Sequence, residues 1–176
     1  VKRLKEPEFK ADIIEEHEEQ LLLTESEKSK ANWLKLGIML GIDCGMRRGE
    51  IIKLRRENIN FATSTALLIG TKNGSNREVG LSPRVIAEMH KLPINIDGRV
   101  INCPSNDNFH HFYSQLQRWT GIKKPFHTTR HTFASRCSMN GWSIAEISAQ
   151  GGWKNLSVLK RYTHIKATHL SKKLGS

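Results

Sequence analysis

Six residues in five short stretches have side chains suited to handling one phosphodiester: Arg47 in G-M-R-R-G-E (45–50), Lys72 in T-K-N-G (71–74), His127 and Arg130 in H-T-T-R-H-T-F-A (127–134), Trp153 in G-G-W (151–153) and Tyr162 in R-Y-T-H (161–164). A phosphodiester passing through a five-coordinate transition state gathers negative charge on its non-bridging oxygens. A planar guanidinium meets two such oxygens with parallel hydrogen bonds. Arg47 and Arg130 could therefore clamp the group without a metal, and one charge-assisted donor aimed at the developing oxyanion contributes about 3 kcal/mol, on the order of a hundredfold in rate. Tyr162 is the candidate nucleophile. A tyrosine with an ordinary pKa of about 10 attacks poorly until positive neighbours stabilise its phenolate.

The elements that must position these groups can be read from capping residues and periodicity. Thr24 and Glu27 have capping-box spacing, and the apolar positions Trp33, Leu36, Ile38 and Leu40 follow, which predicts a helix from about 27 to 43. Gly45 breaks that helix. A short second one begins at R-R-G-E-I-I-K-L, with Arg47 at its start and Glu50 one turn on as a buttress. Such a pair is also common on any solvated helix, so the motif is weak alone.

From Asn58 to Leu81 the pattern becomes β: I-N-F, then T-A-L-L-I-G, then R-E-V-G-L, with Lys72 at the turn of the second hairpin. A turn lysine is ordinarily only solvated, and it is the company of the other motifs that singles this one out. Ser82-Pro83 opens a helix to about Lys91, and Asp107 is the expected cap of a helix through Trp119 that Gly121 stops. His110 and His111 do not suggest a metal site, because adjacent residues of a helix point in different directions.

After Pro125 a helix ended by Gly141 puts His127 and Arg130 one turn apart, and Ser143 with Glu146 caps another to about Gln150. Asn155 can cap a short helix from Leu156 that carries Tyr162. Beyond it, Ile165, Leu170 and Leu174 have amphipathic spacing. The fold class expected is α+β, mostly helical, with a small three-stranded antiparallel sheet. Residues 1–23 read as a charged lead-in of poor order, and 24–176 as one domain.

The chain has 176 residues, 38% of them hydrophobic, which is enough for one core, and no apolar run long enough to span a bilayer. No signal-peptide pattern opens it. Cys44, Cys103 and Cys137 are odd in number and lack C-x-x-C spacing, which fits a reducing cytoplasm and argues against structural zinc. Net charge is +11, with a pI near 9.8. Residues 1–30 hold six of the 28 Lys and Arg and nine of the 17 Asp and Glu, so the remaining 146 carry 22 against eight, a surplus of 14. A body that basic suits a polyanionic partner.

In order and wording, the five stretches resemble the catalytic domain of the tyrosine recombinases, the phage integrase family, from about Thr24 onward. The resemblance implies that Arg47 and Arg130 bind the scissile phosphate, that Lys72 protonates the leaving 5′-oxygen, and that His127 assists proton movement at the tyrosine. Trp153, nine residues before Tyr162, would donate its indole N–H to a phosphate oxygen. Glu50 and His131 would be supporting residues. The implied reaction is site-specific strand exchange in double-stranded DNA through a 3′-phosphotyrosyl link, needing no nucleotide, metal or other cofactor. The implied assembly is a tetramer on DNA and a monomer without it, in a bacterial host cell.

Two positions depart from the family wording. Thr129 stands where leucine is usual, and G-G-W replaces L-G-H, so Gly151 and Thr129 both remove apolar packing near the nucleophile's segment. The helical N-terminal core-binding domain usual in the family has no counterpart in these residues. Two other readings remain: a type IB topoisomerase, which shares the chemistry but acts irrespective of sequence, and a non-catalytic helix-turn-helix module built on 128–150, which would not need Tyr162 or Lys72.

Overall fold

The computed structural model describes residues 12–70, 74–162 and 174. In chain order the elements are α1 (Glu16–Ser26), α2 (Leu34–Cys44), α3 (Arg48–Lys53), β1 (Ile59–Asn60), β2 (Thr65–Leu68), β3 (Arg77–Gly80), α4 (Pro83–Lys91), α5 (Asn106–Thr120), α6 (Thr128–Met139) and α7 (Ile144–Gly151). A 3-10 helix, Leu156–Tyr162, ends the series. This is the helical α+β class expected, with β1-β2-β3 forming one antiparallel sheet.

The middle of the molecule is α2. Leu34, Leu36, Ile38, Leu40 and Cys44 are all fully buried, so this helix is apolar on nearly every side, as a helix surrounded by others must be. Two glycines let its neighbours in. A Cβ on Gly37 would lie 3.0 Å from the Phe109 ring of α5, and one on Gly41 would lie 2.4 Å from Thr129 Oγ1 of α6. Thr129 is thus packed rather than loosening the core: it is fully buried, and its hydroxyl donates to the Phe126 carbonyl at 2.7 Å.

Three local expectations are corrected. The stretch read as a lead-in contains α1, which is part of the core: Ile14 and Leu22 are fully buried, and Glu19 accepts from Arg84 Nη2 at 2.6 Å and Arg136 Nη1 at 2.5 Å. Three of its four glutamates, Glu16, Glu18 and Glu19, are in the first turn, where the helix dipole favours negative charge, and Glu18 reaches back to the Glu15 amide at 2.8 Å. Thr24 and Glu27 therefore end α1, and α2 starts only at Leu34, after the polar turn around Ser29. The cap of α5 is Ser105, whose Oγ accepts from the Asn108 amide at 3.1 Å, with Asp107 in the first turn.

The remaining caps agree with the sequence. Ser82 Oγ accepts from the Val85 amide at 3.3 Å, and Ser143 and Glu146 exchange both capping-box bonds. In the sheet, Leu68 pairs with Arg77 and Ala66 with Val79, so Arg77 shares the inner face with Leu68 and Val79. Lys72, Ile165 and Leu170 lie outside the described residues.

Candidate active site

Gly45 caps α2 in the left-handed region at φ 65°, where a Cβ would strike the Phe133 ring. The chain then turns sharply and delivers Arg47 in extended conformation at the head of α3. Glu50 reaches back to the Arg47 amide at 2.8 Å and accepts from Arg47 Nη1 at 3.0 Å. Arg47 Nη2 donates to the Gly152 carbonyl at 2.8 Å. The buttress read from R-R-G-E is therefore present. Burial alone would raise the Glu50 carboxyl, but hydrogen bonds from Arg77 and the Arg47 amide hold it below the usual carboxylate range.

Arg130 is the most unusual group in the molecule. It is 2% exposed, donates through Nη1 to the carbonyls of Gly45 and Gly151, and has a buried Nε with no partner. Among the described residues it makes no ion pair with a carboxylate. Burial, aided by Arg47, pulls its pKa down to about 9. Its guanidinium lies over the Trp153 ring, 4.2 Å from the centroid, and that indole also stacks with Phe133, the ring centroids 6.3 Å apart. A buried cation without a carboxylate is costly unless an anion arrives from outside.

The same indole explains Gly151. A Cβ there would come within 1.9 Å of Trp153 Cζ3, so the ring occupies the volume that a side chain at 151 would need. Gly151 and Trp153 are one packing unit, and the apolar volume expected to be missing is filled by the larger ring.

Tyr162 is 6% exposed and belongs to a second apolar cluster with Phe133, Ala134, Cys137, Ile147 and Leu159. Its hydroxyl is hydrogen-bonded to His131 Nδ1. His127 stands next in line, its ring 4.8 Å from that of His131 and at 85° to it. Burial lowers both histidine pKa values: His131, Arg130 and Arg47 add to the effect at His127, and Arg130 and Arg161 at His131, where Asp12 partly opposes it. Both imidazoles are thereby neutral near pH 7, able to accept a proton. Burial raises the Tyr162 hydroxyl, and Arg161 and Arg130 offset that only in part.

Arg47, His127 and Arg130 open onto one cavity of about 1110 Å³, between α3 and α5. Of the residues singled out in the sequence, Arg47, Glu50, His127, Arg130, His131, Trp153 and Tyr162 thus gather around one region. Two findings were not anticipated. His131, rather than His127, touches the tyrosine, and Arg77 of β3 binds Glu50. The second had a signal in the sequence: Arg77 is in phase with Val79, so an arginine on the buried face of a strand had to find a carboxylate. Among the described residues no cluster of His, Cys, Asp or Glu is arranged to hold a metal ion, and no helix is long and apolar enough to cross a membrane. The helix-turn-helix reading of 128–150 is not favoured, because α6 is buried around Arg130, Thr132, Phe133 and Ala134, and Gln150 of α7 is engaged with the Gly80 backbone of β3.

The pattern of the phage integrase family matches residues 12–169. The chain belongs to the phage integrase family. It is 34% identical over 138 residues to a shufflon-specific DNA recombinase of Escherichia coli, covering 78% of this chain and 36% of that protein. It is 25% identical over 178 residues to the integrase of Salmonella phage P22, covering 90% of this chain and 45% of that protein. Among solved structures, the catalytic domain of bacteriophage HP1 integrase superimposes with a TM-score of 0.76 at 25% identity, covering 94% of this chain and 95% of that domain. The chain therefore spans less than half the length of these two curated relatives but nearly all of a family catalytic domain.

Proposed function

We propose that this integrase-family chain is the catalytic portion of a tyrosine-type site-specific recombinase that cuts and rejoins double-stranded DNA through a 3′-phosphotyrosyl link. One observation carries the reading: Arg130 is a buried cation with no ion-paired carboxylate among the described residues, sharing a cavity with Arg47 and adjacent in α6 to His131, whose neutral imidazole holds the Tyr162 hydroxyl. A phosphate is the anion that fits two guanidiniums set beside an oxygen nucleophile.

In this reading Tyr162 Oη gives its proton to His131 Nδ1 and attacks the phosphorus. The P–O5′ bond breaks, and Lys72 supplies a proton to the departing 5′-oxygen. Arg47 and Arg130 bind the non-bridging oxygens, where charge develops. His127 takes the sequence-derived role in proton movement only at second hand, through its edge contact with His131. Trp153 backs Arg130. A 5′-hydroxyl from a partner strand reverses the steps, so bond energy is kept in the covalent link and no cofactor is needed. The working assembly is a tetramer on DNA formed from monomers, acting in the cytoplasm of a bacterial host.

A nicked suicide duplex, drawn from a random library by its affinity for the protein, traps the covalent adduct if this reading holds. Tyr162→Phe abolishes the adduct and leaves binding intact. Adduct from the phenylalanine variant refutes the assignment, and relaxation of supercoiled plasmid irrespective of sequence would favour the topoisomerase instead.

A further inference from the structure

Arg77 enters the site from the inner face of β3 with its side chain 13% exposed. Its Nη1 donates to Glu50 Oε1, its Nη2 to Glu50 Oε2 at 3.0 Å, and its Nε to the Gln150 carbonyl at 3.4 Å. Glu50 therefore meets two arginines unequally. Arg77 takes both carboxylate oxygens, while the Arg47 guanidinium reaches only Oε1, its Nη2 being turned to the Gly152 carbonyl. The second support of Arg47 also rests on Arg77: Gly152 has φ +70°, and a Cβ there would come 2.8 Å from Arg77 Cζ. Both groups that fix Arg47 are thus packed against Arg77.

The preferred geometry of an arginine and a carboxylate is the two-pronged pair, in which both oxygens are used. Left alone with Glu50, which is buried and ionised, Arg47 would close into that pair and its donors would be spent within the protein. With Arg77 on both oxygens that closure is blocked. We infer that Arg77 is a positioning residue of the cleavage reaction: by occupying both oxygens of Glu50 and supporting Gly152, it keeps the Arg47 guanidinium open for the phosphate. The inference rests on the recombinase reading above.

The test is single-turnover adduct formation at saturating nicked duplex, with DNA affinity and melting temperature measured beside it. Arg77→Ala should slow adduct formation on the order of a hundredfold, as loss of one oxyanion donor does, with affinity changed no more than about threefold. Arg77→Lys should fall between, because it keeps the charge but not the fork. Two readouts separate positioning from general stability. Arg77→Ala placed on Arg47→Ala should add less than about threefold, since residues acting as one unit are not additive. Glu50→Gln placed on Arg77→Ala should recover about tenfold over the single variant, because a neutral amide cannot hold Arg47 in the two-pronged pair. Full-speed adduct formation by Arg77→Ala overturns the inference, and so does a multiplicative loss with Arg47→Ala or the absence of recovery with Glu50→Gln. Should Arg77→Ala fail to fold, Arg77→Lys with and without Glu50→Gln decides the same point. No adduct from the unmutated protein would sink the recombinase reading itself, whereas adduct from it and from Arg77→Ala at equal rates sinks this inference alone.

Discussion

Replacing Gly151 by alanine sets two rules against each other. By backbone propensity alone, Gly→Ala at a helix end such as that of α7 stabilises by about 0.5–1 kcal/mol. The packing says the opposite. The new Cβ would meet Trp153 Cζ3 at 1.9 Å, Cε3 at 2.4 Å and Cη2 at 2.9 Å. The indole cannot step aside cheaply, because it is packed against both the Arg130 guanidinium and the Phe133 ring. Overpacking of this kind costs about 1–3 kcal/mol, so the net effect is a loss of about 1 kcal/mol and, for a domain of this size, a fall of about 3 °C in melting temperature. Displacing the ring also takes the cation–π partner from Arg130 and should slow adduct formation about tenfold. Trp153→His removes the colliding six-membered ring. The double variant Gly151→Ala/Trp153→His should therefore be more stable than the sum of the two single changes by about 1–2 kcal/mol. Thermal denaturation of the four proteins checks this, with the nicked-duplex assay beside it. A Gly151→Ala protein as stable as the unmutated one, or single effects that simply add, would refute the view that residues 151 and 153 form one packing unit.

Three further outcomes are expected. With Tyr162 hydrogen-bonded to His131 and burial lowering that imidazole's pKa, adduct formation should hold near pH 7 and fall as pH drops through the depressed His131 value. Arg130, Arg161, Asp12 and His127 are the charged or titratable groups around it, and His131→Ala should lower the rate and remove that acid limb, whereas an unchanged limb would return the proton to His127. DNA binding should weaken steeply with salt, with a log–log slope near −5 for about six phosphate contacts, and a slope near zero would exclude nucleic acid as the partner. Lys72→Ala should cleave oxygen-linked DNA very slowly but DNA with sulfur at the bridging 5′ position nearly as fast as the unmutated protein, while Arg47→Ala and Arg130→Ala stay slow on both; equal slowness of Lys72→Ala on both would make the lysine a phosphate binder.

The parts of the fold that could be read from the sequence are those set by neighbours in the chain. The Ser82 and Ser143 caps, the glycine stop of α5 at Gly121 and the period-2 pattern of β2 and β3 are all local. What was misread depended on distant partners. Helix α1 has little apolar stripe of its own, and its placement rests on Glu19 finding Arg84 and Arg136, more than sixty and a hundred residues on. Thr24 and Glu27 showed capping spacing by chance within a chain already helical. Ser105 outcompeted Asp107 as cap because its side chain is three residues before a free amide, and Asp107 then serves the dipole of the first turn. In the site, residue types revealed the chemical groups, but the division of labour between His127 and His131 depends on how the Tyr162 segment packs against α6, which no local pattern encodes.

Tryptophan at 153 reshapes the site beyond its own contacts. An imidazole there could donate a hydrogen bond and also exchange a proton, whereas an indole can only donate. What the indole supplies instead is a flat apolar face for Arg130, and this matters because that arginine is buried against carbonyls with one nitrogen unpartnered. A guanidinium is weakly hydrated and stacks well on aromatic faces, so the ring offsets part of its desolvation without consuming a donor. In the proposed reaction, an indole at 153 leaves proton handling to the histidine pair of α6, where His131 holds the Tyr162 hydroxyl. Charge stabilisation in that reaction then rests on the arginines, one of them backed by the indole, and proton transfer on the imidazole that holds the tyrosine hydroxyl.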